Sequence, residues 1–123
     1  MWSAVTGESL GGYLEREVFR PLGMTRSGFR PTEPAAFDPT IAPTERDLRF
    51  RGRTLQGEVH DEKAQILGGT AGHAGLFSTA EDLSRFAAMM ASGGVAPDGR
   101  RFLRRRTIDL FTHPPPGQPA LGW

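Results

Sequence analysis

The 123-residue chain contains no cysteine. Disulfides, thiol nucleophiles and Cys-ligated metals are therefore excluded. Asparagine is absent as well, and Lys63 is the only lysine. Long apolar runs are also missing. The longest uncharged stretch, Ala64 to Ala80, is rich in Gly and Thr from Ile66 on and falls short of the about 20 apolar residues that a membrane helix needs. Met1-Trp2-Ser3-Ala4 has neither a basic n-region nor an apolar h-region, so no signal peptide is visible. Charge of one sign is not in excess. The net charge of +1 gives no case for nucleic acid.

What remains is the composition of one globular domain. Hydrophobic residues make up 37% and charged residues 24%, too apolar for a disordered chain. Sixteen glycines and ten prolines predict long irregular connections. Leu10, Tyr13, Leu14 and Val18 fall at helical spacing, which predicts a first helix near residues 8–20. Ser9 or Thr6 is suited to cap it, and Pro21 ends or kinks it. Phe19, Leu22 and Met24 then read as anchors that fold the exit loop back on the helix.

From Phe29 to Glu58 no clear periodicity appears. Arg46, Arg49, Arg51 and Arg53 alternate with Leu48, Phe50 and Leu55. Flanking Glu45, Asp47, Glu58, Asp61 and Glu62 nearly balance the charge, which points to a solvated or internally paired loop. The turn from Gly68 to Gly75 leads into the strongest helix, near 79–92, where Ser78-Thr79-Ala80-Glu81 fits a capping box with Ser78 as the cap. Leu83, Phe86, Ala87, Met90 and Ala91 line its predicted apolar face. A last helix is expected near 104–112, carrying Ile108, Leu110 and Phe111. Leu121-Gly122-Trp123 has the look of a strand beginning.

The candidate chemistry is sparse. Gly72-His73-Ala74-Gly75 has neither the spacing of a dinucleotide fingerprint nor the Lys of a P-loop, so close backbone packing explains its glycines better than phosphate. His60-Asp61-Glu62 offers metal-compatible types, but consecutive residues rarely converge on one ion, and no H-E-x-x-H exists. None of Ser3, Ser9, Ser27, Ser78, Ser84 and Ser92 lies in a G-x-S-x-G elbow or is followed three residues later by Lys.

Leu14 to Met24 (LEREVFRPLGM), Ile41 to Glu45 (IAPTE) and the block from Arg51 to Gly94 resemble the β-lactamase-related serine hydrolases. That family includes class C β-lactamases, penicillin-binding-protein-like carboxypeptidases and related esterases. The resemblance implies acyl transfer by a Ser-x-x-Lys serine, with a Tyr or Ser motif and a late His-x-Gly or Lys-Thr-Gly strand. It implies neither a cofactor nor a metal. None of the catalytic motifs is present here, so no catalytic residue is assigned. His73-Ala74-Gly75 matches His-x-Gly formally, but the LFSTAEDLSRF that follows places it in a mid-chain block of the family.

The expected fold class is mainly α with long irregular loops and little sheet of its own. It corresponds to the helical subdomain of the α/β β-lactamase-like fold, without most of the sheet. Residues 1–123 are expected to be a partial domain truncated at both ends, inactive alone, whose complete enzyme acts on a small-molecule or peptide carbonyl substrate. His60, Asp61, Gly72 and His73 are the expected rim of the substrate cleft. The alternative is a non-catalytic interaction module that complements a separate chain carrying the serine. An exposed apolar face suited to self-association is expected in either case, and no nucleic acid or membrane segment.

Overall fold

The computed structural model describes residues 2–29 and 40–119. Helix α1 (Trp2–Thr6) stacks Trp2 on Tyr13 of α2 (Leu10–Leu14), with ring centroids 4.6 Å apart. Ser9 caps α2 by accepting from the Gly12 amide at 3.0 Å. The chain then continues into a widened turn over Glu15–Phe19. There the bonds skip five residues: Arg20 N donates to Glu15 O at 3.0 Å and Met24 N to Phe19 O at 2.8 Å. Pro21 has no N–H to give, and the longer bonds on either side carry the chain past it.

The other elements are β1 (Gly28–Phe29), β2 (Glu45–Asp47), β3 (Arg53–Leu55), α3 (Glu62–Ile66), β4 (Leu76–Phe77), α4 (Ala80–Ala91) and α5 (Arg105–Thr112). Strands β1 and β4 pair antiparallel, Gly28 opposite Phe77. Strands β2 and β3 form a hairpin with Glu45 opposite Leu55 and Asp47 opposite Arg53. The expected loop between Phe29 and Glu58 is therefore ordered into a hairpin over its later half. Asp47 accounts for this: its Oδ1 accepts from the amides of Arg49 and Phe50 at 3.1 and 2.8 Å and fixes the turn. Residues 30–39, which hold three of the prolines noted above, and the expected strand at 121–123 lie outside the described residues.

The main core gathers Phe19, Leu22, Met24, Met89, Ala96 and Ile108, with Phe86, Met90, Phe102 and Leu103 packed around it. A second cluster of Val59, Ala64 and Ala71 sits under α3. The three anchors after the first helix are thus buried as expected. On α4 the inward face is rotated from the expected one. Met89 is fully buried and Asp82 is 3% exposed, while Leu83 is 51% exposed. On α5 only Ile108 is buried; Leu110 and Phe111 face outward.

The cap of α4 is Thr79, not Ser78. Thr79 Oγ1 accepts from the Asp82 amide at 3.2 Å, and the Glu81 carboxylate pairs with Arg85 at 2.9 Å. The motif sits one residue later because Ser78 is drawn to Ser27, 2.7 Å away. Thr79→Ala should cost about 1 kcal/mol, read as a lower urea midpoint. An unchanged midpoint would show that the helix end is held by tertiary contacts alone.

Candidate functional site

The candidate rim is built on the short segment between the hairpin and α3. Asp61 is the N-cap of α3, its Oδ1 accepting from the Ala64 amide at 2.7 Å. The same oxygen meets Nε2 of His73 at 3.2 Å. The Ala64 amide first, and then His73, hold the Asp61 carboxyl below its ordinary range. On the preceding residue, Nδ1 of His60 lies 2.6 Å from Oε2 of Glu45 on β2. The two histidines are therefore each oriented by a carboxylate, and the consecutive pair His60-Asp61 links hairpin, α3 and the glycine-rich turn.

A cavity of about 250 Å³ opens beside this link. Thr44, Glu58, His60, Asp61, Ala74 and Gly75 are among its lining residues, with Leu76 and Phe77 of β4. Gly72 and His73 do not line it. His73 reaches it only through its bond to Asp61, and the Cβ position of Gly72 has open space around it. Gly75 is different. Its φ is +105°, and a side chain there would strike the carbonyl oxygen of Gly69 and fold into the closed turn. The glycine of the formal His-x-Gly match is therefore a packing requirement.

A second cavity, about 510 Å³, continues from the first along Thr44, Leu76 and Phe77 to Arg26, Thr40 and Ser78. Sequence reasoning did not single out Arg26 or Thr44 as cleft residues. The only signal was Thr44 within IAPTE, and no periodicity marks it. Below this surface the Ser27 hydroxyl donates to Asp82 Oδ2 at 2.8 Å, so Ser78 supplies the proton in the Ser27–Ser78 contact. Both hydroxyls are thereby committed to structure. Among the described residues no three His, Asp or Glu side chains gather as a metal site requires. Nor is any helix of the described residues long and apolar enough to cross a membrane.

The arrangement can orient imidazoles and polarise a bound group, but it supplies no activated nucleophile. The family model for Beta-lactamase matches residues 3–122. The chain belongs to that β-lactamase family. It is 38% identical over 97% of its length to the N-acetylmuramyl-L-alanine amidase of Bacillus subtilis (strain 168), covering 30% of that protein. It is 40% identical over 89% of its length to an Escherichia coli (strain K12) protein provisionally named D-alanyl-D-alanine carboxypeptidase, covering 27% of it. A Salmonella typhi protein with the same provisional name is 36% identical over 98% of the chain, which covers 31% of it. The chain thus spans less than a third of these relatives.

Proposed function

We propose that this chain forms the helical, loop-rich part of a serine hydrolase that transfers or hydrolyses an acyl group of a small-molecule or peptide carbonyl substrate. The family match across residues 3–122 carries this reading. The relatives named as an amidase and a D-alanyl-D-alanine carboxypeptidase favour an amide or peptide bond over an ester. His60 and Asp61 form one rim of the substrate cleft, with His73 bonded to Asp61 behind it and Gly72 beside His73 in the turn. His60 supplies a polar contact to substrate, and His73 acts by orienting Asp61.

The chain alone contributes no nucleophile–base pair, so nitrocefin and p-nitrophenyl esters should not be turned over. Turnover abolished by a serine-directed phosphonate would refute this. In a full-length relative, alanine at the positions of His60 and His73 should lower kcat/KM about tenfold, the worth of roughly one hydrogen bond, with little change in Tm. A fall in Tm with unchanged kcat/KM would reduce both residues to loop struts.

A second reading, a non-catalytic module that complements a separate chain carrying the serine, is favoured by the outward Leu83, Leu110 and Phe111, which are 51%, 62% and 41% exposed. Pull-down with the neighbouring gene product and size-exclusion chromatography separate the two readings.

A further inference from the structure

The tip of the β2–β3 hairpin holds two large apolar side chains in solvent. Leu48 is 65% and Phe50 64% exposed. They are not there through looseness. Asp47, itself 7% exposed, binds the amides of Arg49 and Phe50 through Oδ1, and the guanidinium of Arg51 lies 3.8 Å from its Oδ2. Arg51 in turn donates to the Val59 carbonyl at 3.2 Å and ties the turn to the body. The turn is built from beneath, and its apolar residues project from it. A turn whose backbone is already fixed has less entropy to lose on docking.

Arginines outnumber carboxylates around the tip, four (Arg46, Arg49, Arg51 and Arg53) to three (Glu45, Asp47 and Glu58). Glu58 is paired with Arg53, Asp47 is consumed by the turn, and Glu45 is turned away from the tip toward His60. Arg46 is exposed on the outer face opposite Thr54 and has no acidic partner among the described residues. The Arg49 guanidinium lies 5.5 Å from the centre of the Phe50 ring, which keeps a cation at the level of the aromatic knob. An apolar knob flanked by the guanidinium groups of Arg46 and Arg49 matches the boundary between headgroup phosphates and acyl chains. We propose that this hairpin tip docks the protein peripherally on an anionic phospholipid surface, Leu48 and Phe50 entering the interface and Arg46 and Arg49 binding the phosphates. A protein partner would have to offer a recess for the same knob, and nothing in the fluid bilayer surface needs to be preshaped.

The test is partition of the full chain onto vesicles of phosphatidylglycerol mixed with phosphatidylcholine, against phosphatidylcholine alone. Leu48→Ser with Phe50→Ser should weaken binding about tenfold or more. Arg46→Gln with Arg49→Gln should weaken binding to the anionic vesicles about twentyfold and leave the neutral ones unchanged. Because the chain has no cysteine, Phe50→Cys can carry an environment-sensitive dye. Its emission should shift to the blue on anionic vesicles, while the same dye at Ser84→Cys on α4 stays at its aqueous value. Circular dichroism of each variant establishes that the fold is kept. No partition of the wild type, equal partition of the serine double variant, or equal dye shifts at both positions would each overturn the proposal.

Discussion

Gly94→Ala should destabilise the chain by about 3–5 kcal/mol, a large share of the roughly 5–15 kcal/mol by which a domain is ordinarily stable. Two costs add at this position. The backbone sits at φ +94°, where an L side chain is strained by about 1–3 kcal/mol. The new methyl would also land on the Leu103 carbonyl oxygen, a backbone atom that cannot rotate away. Overpacking of that kind costs a further roughly 1–3 kcal/mol. Gly94 is where the end of α4 meets the segment leading into α5. Its carbonyl accepts from the Phe102 and Leu103 amides at 2.8 and 3.0 Å, and its own amide donates to Met89 O at 2.9 Å. Pushing that segment away loosens Phe102 and Leu103 from the core formed by Phe19, Leu22, Met89 and Ile108. Urea denaturation followed by far-UV circular dichroism reads the loss. Gly72→Ala is the matched control: its Cβ position is open and its φ is not positive. A Gly94→Ala midpoint equal to that of Gly72→Ala would show that the α4–α5 junction can shift at no cost.

The difference between what the residues announced and what the chain does follows physical lines. The helices at Leu10–Leu14 and its continuation, at Ala80–Ala91 and at Arg105–Thr112 were legible because each carries helical spacing and a stop signal. The rotation of α4 was not. Its inward face runs through Asp82, Phe86 and Met89, and an aspartate is never counted as core by hydrophobic pattern. Leu83 was counted, and it points outward in this chain. The hairpin was hidden for a related reason. Its turn is set by a buried carboxylate bonding backbone amides, with no Asn-Gly or Asp-Gly signature at the turn. At the candidate cleft, His60 and Asp61 were visible as polar residues before a helix. That each histidine is held by a separate carboxylate, Glu45 and Asp61, depends on tertiary pairing that spacing does not encode.

The buried carboxylate on α4 leads to the second large effect. Asp82→Ala should cost about 2–4 kcal/mol. Asp82 Oδ2 accepts from the Arg26 amide at 2.8 Å and from the Ser27 hydroxyl at 2.8 Å, and Ser78 joins through Ser27 at 2.7 Å. One carboxylate thus holds the segment before β1, the residue after β4 and the first turn of α4 together. Hydrogen bonds to a charged acceptor are worth about 1.5–3 kcal/mol, and removing the acceptor leaves the Arg26 amide and the Ser27 hydroxyl short of a partner near the protein interior. A negative charge in the first helical turn also favours the α4 dipole by about 0.3–1 kcal/mol. Asp82→Asn keeps the shape and one acceptor, so it should lose about half as much. If the network is real, Ser27→Ala in the Asp82→Ala background should cost less than in the wild type, a coupling of about 1–2 kcal/mol. Strict additivity, or an Asp82→Ala midpoint within error of wild type, would mean that water replaces the carboxylate. The same network underlies the wall of the larger cavity at Arg26 and Ser78. In a full-length relative, its loss should therefore raise KM as well as lower Tm. A fall in Tm with KM unchanged would detach that wall from substrate binding.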